Sequence, residues 1–477
     1  MSARPRIVVL GAGFAGQTAV LHLSRRLRRR ADIHVVSPFP TFTWIPSLIW
    51  VGVGSMPPEA TQFLLEPVYS RLGVHFTLGR AIEIRPEDRE VVIATASGDR
   101  TTLEYDFLVN ATGPYLNFEG TPGLGPAAGN SWSVCTVAHA TQARDEYLRV
   151  VAALERGQQA RLVVGTGHPL ATCEGAAFEY VMNVDADLRR RGVRDRAELT
   201  WLSNEPEAGD FGVGGIEARA DGRVARSSEY VCGLLAAHGI RPILGAGVTA
   251  VRQGSLDYDT LRGDGGTLRF DFAMLIPQFR GVPLRYVGRD GADLGPEMTA
   301  PSGLMKVDAD YAPKEFAQFA AGDWPATYRS PRFPEISAPG IAFAPPHPIS
   351  RPGKSPAGLG ITATPPRTGM AAGIMGRIVA LNIVDAIEGR PAGHAERMSE
   401  MPGACIASTN KSLLRGGAVS IIMYPVVRDF ARYPRYGRDV GMSTMEEGLA
   451  GAWIKRMLHT AFMWKFRARP GWALIPE

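Results

Sequence analysis

Two kinds of residue in this chain have the type and spacing for chemistry. Gly11-Ala12-Gly13-Phe14-Ala15-Gly16 follows directly on Arg6-Ile-Val-Val-Leu10, a short β-branched run of the sort buried on both faces in a parallel sheet. A helical stretch from Gln17 to Arg30 and a second strand, Ile33 to Val36, come next. Strand, glycine turn, helix and strand in that order make a cradle for a dinucleotide. The glycines serve the tight turn, the approach of backbone N–H groups to a pyrophosphate, and close helix–strand packing. The helix N-terminus then faces the phosphate charge. The second kind is cysteine. Four cysteines in 477 residues are too few for a disulfide scaffold and read as free thiols or a redox pair in a reducing compartment. Cys173 stands where a later helix begins, a position expected to lower its pKa and stabilise a thiolate.

The chain is long enough for two or three domains around a large core. With 45% apolar and 21% charged residues it is globular in composition and not disordered. Its 54 glycines and 36 prolines follow no period, which excludes collagen and solenoid architectures. Two further stretches extend the glycine turn. Tyr105 to Gly113 reads as a strand ending in Ala111-Thr112-Gly113. Phe319-Ala-Ala-Gly322-Asp323 has the form of a strand followed by Gly-Asp, with the Asp placed to bind a hydroxyl chain. In this order the three match the FAD-binding fingerprint of two-dinucleotide-domain flavoproteins, and FAD is the expected cofactor. Ala81, in Gly79-Arg-Ala81, is expected to offer backbone groups to adenine. Ser37 stands where an acid would bind the ribose, leaving one hydroxyl for that contact. Arg161-Leu-Val-Val-Gly165-Thr-Gly167 opens a second Rossmann unit. Its third glycine position is Leu170, which would crowd a pyrophosphate, so the fold is retained and the NAD(P)H site degraded.

The net charge is +5, and it is concentrated. Nine basic residues and four acids lie between Arg428 and Arg469, a tail suited to phosphates. No recognition module accompanies it, so nucleic acid is disfavoured and lipid head groups are favoured. Met1 is followed at once by a strand pattern, which leaves no room for a signal peptide, and no apolar run approaches the ~20 residues of a spanning helix. From Leu449 to Arg469 an amphipathic helix is expected. Ala450, Trp453, Ile454, Met457, Leu458, Ala461 and Trp464 fall on one face, and Lys455, Arg456, His459 and Arg467 mostly on the other. Ser420 to Val427 is apolar enough to line a lipid-facing entrance.

At this point the chain resembles the sulfide:quinone oxidoreductase family over nearly its whole length. Phe42-Thr-Trp-Ile-Pro-Ser47, Ser133-Val-Cys135-Thr-Val-Ala-His139, Ala171-Thr-Cys173-Glu-Gly175 through Glu179, and Pro365-Pro-Arg367-Thr368-Gly369 carry the resemblance. It implies an α/β fold of two Rossmann-like, glutathione-reductase-like domains plus a C-terminal membrane-associating helical region. The implied boundaries are 1–120 and 301–400 for the FAD-binding domain, 121–300 for the second Rossmann-like domain, and 401–477 for the quinone and membrane region. It also implies a small sulfur substrate attacked at Cys173, with Cys135, His139 and Glu179 assisting, electrons leaving through FAD to quinone, and no metal. Arg367 and Thr368 would approach the flavin, the following helix dipole stabilising its reduced charge. The protein would lie peripherally on the cytoplasmic face of the membrane, and a homo-oligomer is compatible with this. Three departures stand out: no cysteine falls near Gly340 to Pro346, Asp210 replaces a histidine, and Arg367 replaces a lysine. They keep open a type II NADH:quinone oxidoreductase and a flavin relay protein without sulfide activity.

Overall fold

The computed structural model describes residues 4–220, 222–410 and 416–477. Strand β1 (Arg6–Leu10) leads through the glycine turn into helix α1 (Phe14–Leu27) and back to β2 (Asp32–Ser37). The chain continues through β3 (His75–Arg85), β4 (Glu90–Thr95), β5 (Arg100–Glu104) and β6 (Phe107–Asn110). β1 lies between β2 and β6 and parallel to both, with Leu10 level with Val36 on one side and Asn110 on the other. Ile7 to Leu10 are buried, so the run needs no polar alternation. β3 pairs with β2, then turns away from Gly79 onward to pair antiparallel with β4, and β4 pairs with β5.

The edge beside β6 differs from the sequence reading. Phe319–Asp323 does not enter the sheet: Ala321–Asp323 is a single 3-10 turn. The strand parallel to β6 is Ile336–Ser337, and the chain beyond it turns at Gly340, in the left-handed region at φ 75°. Packing explains the difference. Ile336, Ser337 and Ala338 fit entirely inside, whereas the Phe319 ring stacks on His347 at 4.1 Å.

The second unit runs from α2 (Val137–Glu155) through β7 (Ala160–Thr166), α3 (Glu174–Arg190), β8 (Ala197–Leu202), β9 (Ile240–Ile243) and β10 (Phe272–Ile276). Its parallel sheet has the order β9-β8-β7-β10, a Rossmann-like half with α3 as its first crossover helix. Helix α4 (Gly369–Ile387) returns to the first unit and packs across α1. By length and mean hydropathy (1.6) α4 is apolar enough to cross a membrane, but 72% of that stretch is buried inside the protein.

The C-terminal region is less helical than its sequence suggests. β11 (Gly403–Asn410), β12 (Gly417–Met423) and β13 (Thr444–Gly448) form an antiparallel sheet, extended by the hairpin Glu217–Ala220 and Arg223–Arg226. Val419 and Ile421 of β12 are buried, as are Val426 and Val427 beyond it. That stretch therefore lines the core, and of it only Ile422 approaches the surface, at 36% exposure. Most of β12 is covered on both faces, which gives an apolar run that periodicity cannot assign.

Helix α5 (Leu449–Phe466) forms as expected, and its apolar face points out of the protein. Trp453, Ile454, Met457 and Trp464 are exposed, while Gly451, Ala452, Lys455, Lys465 and Phe466 are buried. Lys455, read from the sequence as part of a solvated face, lies inside and pairs with Glu179.

The α1–α4 crossing depends on a glycine. A Cβ at Gly376 would stand 2.3 Å from the Ala15 carbonyl oxygen, backbone that cannot swing aside. Gly376→Ala should lower stability by about 1–3 kcal/mol despite alanine's better helix propensity. Denaturant midpoints of the two proteins check this, and an unchanged or higher midpoint would mean that the helices separate without cost.

Candidate active site

The first glycine turn is built by backbone-to-backbone contact. Cβ atoms at Gly11 and Gly16 would stand 2.2 Å from the Ala111 carbonyl oxygen and 2.0 Å from that of Gly11. A Cβ at Gly13 would meet nothing within 4 Å. Two glycines thus draw the end of β1, the start of α1 and the Ala111-Thr112-Gly113 turn together, and the middle one leaves space in front of them. The α1 N-terminus has no side-chain cap and no acid in its first turn, so its N–H groups remain available to an anion. Thr112 is fixed by donating its hydroxyl to Asn110 Oδ1 at 2.8 Å, and Gly113 opens onto free space. These residues fit a dinucleotide pyrophosphate.

The other expected cofactor contacts fall in different places. Ala15 closes the cradle from the α1 side, against Gly340. The Phe14 ring belongs to an aromatic cluster with Phe42, Trp44 and Phe466. Ser37 spends its hydroxyl on its own turn, donating to the Phe39 carbonyl at 3.0 Å and accepting from the Phe39 N–H. Ala81 lies beside the bulge where β3 leaves β2. Gly322 and Asp323 are not in the cradle. The Asp323 carboxylate accepts from the Ala320 N–H at 2.8 Å and pairs with Lys314 at 2.5 Å and His347 at 3.5 Å. Gly340 takes the place expected of Gly322. The sequence signal for it was a glycine closing the apolar Ile336-Ser-Ala-Pro run.

Gly340, Phe343, Trp324, Pro366, Arg367 and Thr368 border a cavity at the start of α4. Thr368 is the N-cap residue, with no side-chain hydrogen bond to the helix. Arg367 is half-buried, donates from Nη1 to the Phe343 carbonyl at 3.4 Å, and sits 5.6 Å over the Phe343 ring. Burial lowers its pKa to about 10, and the neighbouring Cys173 and Tyr311 oppose that shift.

Cys173 is the N-cap of α3 and holds a left-handed backbone at φ 68°, which costs a β-carbon-bearing residue about 1–2 kcal/mol. Its thiol does not have the lowered pKa expected of a helix N-terminus. Burial pushes it up, Cys135 and Glu174 push the same way, and Arg367 opposes them. Desolvation outweighs the helix dipole here. Burial likewise pushes Cys135 and Cys405 up to about 12. Ser133 joins Cys135 to His139: its hydroxyl meets His139 Nδ1 at 3.0 Å, accepts from the Cys135 N–H at 3.5 Å, and bonds the Cys135 thiol. Burial lowers the His139 pKa, so the ring favours its neutral form.

Glu179 sits apart from the Cys173 side chain. It faces the C-terminal sheet, accepting from Lys455 Nζ and, at 2.7 Å, from the Ser408 hydroxyl. Glu174, Glu205 and Asp210 are all buried near the start of α3; Asp210 was read from the sequence only as a departure from the resemblance, and the other two were not read as site residues. Burial and mutual repulsion raise Glu174 well above the usual range, and Glu205 rises to about 8. Glu174 follows Cys173 directly, which was the available signal.

The second glycine turn is filled. Thr362 N–H donates to the Pro169 carbonyl at 3.0 Å and Thr364 N–H to that of Ala171 at 3.2 Å. Asn204 Nδ2 donates to the carbonyls of Pro169, Ala171 and Thr362. A Cβ at Gly167 would stand 2.6 Å from Leu124. The space a nicotinamide dinucleotide would need is occupied by this chain's own residues.

A family model of the pyridine nucleotide-disulphide oxidoreductases matches residues 5–188. The chain is 29% identical to the sulfide-quinone reductase of Aquifex aeolicus (strain VF5), over 84% of this chain and 80% of that one. The X-ray structure of the sulfide:quinone oxidoreductase from Aquifex aeolicus matches at TM-score 0.78 and 26% identity, covering 98% of this chain and 92% of the other. The chain is similar in sequence and in fold to the sulfide:quinone oxidoreductases. It is an oxidoreductase of flavin-dependent type. NDH2 from Plasmodium falciparum, at TM-score 0.66 and 11% identity over 99% and 97% of the two chains, shares the fold.

The buried thiols set a reactivity order. Cys232 is exposed and the other three cysteines are not. With the Cys135 and Cys405 thiols near 12, fewer than about one in 10⁴ of each is thiolate at about pH 7.5. Iodoacetamide should therefore modify Cys232 at least ~10³-fold faster than the others until denaturant is added. Rates at Cys135 and Cys405 should rise about tenfold per pH unit between about pH 7 and 9. Peptide mass spectrometry after timed quenching checks both.

Proposed function

We propose that this chain is an FAD-dependent enzyme that takes electrons from sulfide, or a related reduced sulfur species, at Cys173 and passes them to a membrane quinone. The observation that carries this reading is the meeting of Cys173 with Cys135 and the half-buried cation Arg367, beside a dinucleotide cradle, in a chain whose second dinucleotide turn is filled. The names of the Aquifex aeolicus and Dictyostelium discoideum relatives support the substrate pair. Residues 1–120 and 301–400 would hold FAD, 121–300 would frame the sulfur site, and 401–477 would meet quinone and membrane.

Bound in the cradle, FAD would supply the two-electron acceptor between thiol and quinone. Arg367 would stabilise anionic sulfur at Cys173. Cys135, Ser133 and neutral His139 form a line along which a proton can leave the sulfur site. The uncapped N-terminus of α4 favours negative charge in front of Thr368. Glu179, on the side of α5, would handle protons toward the quinone. The filled second turn counts against an NADH:quinone oxidoreductase.

The outward apolar face of α5 supports peripheral attachment to a lipid surface, at the cytoplasmic face in this reading. Trp453 and Met457 are 50% and 60% exposed, and Arg469 lies 6.0 Å from the Trp464 ring. Tryptophan beside cations suits the interfacial layer.

Two measurements check the proposal. Under nitrogen, sulfide should bleach the flavin absorbance rapidly, NADH should not, and Cys173→Ala should slow sulfide bleaching at least ~10²-fold. Bleaching by NADH that is indifferent to the variant would establish a nicotinamide dehydrogenase instead. The wild-type protein should also sediment with phosphatidylglycerol vesicles, and the Trp453→Ser/Met457→Ser double variant should bind at least ~10-fold more weakly. Equal binding by the two would place the attachment elsewhere.

A further inference from the structure

The first turn of α3 sets an acid directly behind the thiol that caps the helix. Glu174 follows Cys173, and Glu205 and Asp210, from the loop beyond β8, come close enough to repel its charge. The three are 1%, 0% and 5% exposed, so water cannot screen them from one another. The group also faces the thiols. A charge on Glu174 acts on Cys173, and one on Glu205 acts on Cys405. A Cβ at Gly175, the next residue of the helix, would stand 3.0 Å from the Cys405 Sγ and 3.9 Å from the Phe211 ring.

Hydrogen bonding distinguishes the three acids. Glu205 accepts from the Ser203 hydroxyl and from the Phe211 N–H, both at 2.6 Å. Asp210 accepts from the Ser350 hydroxyl and, at 3.0 Å, from the Gly212 N–H, and Arg428 attracts its charge. Those donors favour ionisation of Glu205 and Asp210 ahead of Glu174. Glu174 is helped by its own backbone N–H, and its Oε1 has no hydrogen-bond partner among the described residues. Carboxylates packed this closely cannot all ionise, and the one with the fewest donors keeps its proton longest. A buried carboxylic acid with an unanswered oxygen can serve the next anion that forms beside it, and the preceding residue is Cys173.

Resting on the function proposed above, we propose that Glu174 is a proton donor of the thiol site, returning a proton to the Cys173 thiolate during turnover. In this step the Glu174 O–H bond breaks and a Cys173 S–H bond forms. Glu174 is left as carboxylate, no electron moves, and a solvent proton later replaces the one given up. A thiol is a far weaker acid than a carboxylic acid, so the proton moves to sulfur. Other charges bear on the transfer. Arg367 acts on Cys173, and Arg428 and Arg438 lie on the side of Asp210. The thiols of Cys135 and Cys405 are held protonated by burial. Farther along α3, Glu179 is balanced by Lys455.

The test uses the full chain loaded with flavin. At neutral pH the infrared spectrum of wild type minus that of Glu174→Gln should contain the C=O stretch of a protonated carboxylic acid. A difference spectrum without that band overturns the assignment. With sulfide and a soluble quinone, Glu174→Gln should turn over at least ~10²-fold more slowly than wild type, while its melting temperature and its bleaching by dithionite stay unchanged. Glu174→Asp, which keeps an acid, should be faster than Glu174→Gln. The fall in wild-type rate at alkaline pH, where the donor loses its proton, should be absent from the Glu174→Gln profile. If the band is lost but turnover and its pH profile stay as in wild type, the donor role falls and the function stands. If wild type itself does not turn over sulfide, the function falls and the donor role falls with it.

Discussion

The ion pair between Glu179 and Lys455 ties together three packed parts of this protein. Glu179 belongs to α3, the helix that Cys173 caps, and Lys455 to α5. Between them Ser408 and Ile406 of β11 contribute a hydroxyl and a carbonyl to the same cluster. Both charged side chains are about 8% exposed, so neither can exchange its partner for water. Such a pair adds little net stability when intact, but breaking it costs about 3–5 kcal/mol because a charge is left buried alone. Its effect is therefore on placement. With Lys455 turned inward, helical geometry sends Trp453, Ile454 and Met457 outward. The same contact that holds β11 against α3 thus orients the apolar face of α5.

The second Rossmann unit shows how a fold outlives its ligand. β7, α3 and β8 keep the geometry of a dinucleotide half, with Gly165 so close to β8 that a Cβ would stand 1.8 Å from the Leu202 carbonyl. What changed is the turn. Once carbonyls of Pro169 and Ala171 accept from Thr362, Thr364 and Asn204, the groups that would face a pyrophosphate are committed within the chain. The same movement of the residue 362–365 segment brings Thr172 under Pro365, with its hydroxyl 3.1 Å from that carbonyl. Cys173 and Arg367, each the immediate or second neighbour of these residues, are brought together by that packing.

The first glycine turn was legible in the sequence because local chemistry determines it. Gly16 is required by a backbone contact within one βαβ unit, and Gly11 by the close approach of the Ala111 carbonyl at the end of the neighbouring strand. The Gly322-Asp323 assignment failed for the opposite reason: which segment joins the sheet beside β6 is decided by what can be buried there. Ile336-Ser-Ala meets that requirement and Phe319-Ala-Ala does not. β12 was hidden because a strand covered on both faces over most of its length loses its alternation. The direction of the Cys173 pKa was misjudged for a related reason. A helix N-terminus is a local feature visible in the sequence, whereas the burial that outweighs it comes from β11, over 200 positions away.

Raised thiol pKa values suit a site that makes and breaks sulfur–sulfur bonds. Burial penalises each thiolate, so at neutral pH the resting thiols are protonated and inert toward passing electrophiles. A bridged pair carries no charge, and the desolvation that opposes ionisation leaves it untouched. Once a thiolate does form there, its high pKa makes it a stronger nucleophile and a poorer leaving group than an exposed thiolate. Fixed charges act unequally on the two thiols: Arg367 eases ionisation at Cys173, whereas at Cys405 the Glu179 carboxylate opposes ionisation more than Lys455 eases it. Burial and these charges together favour the uncharged states, protonated or bridged.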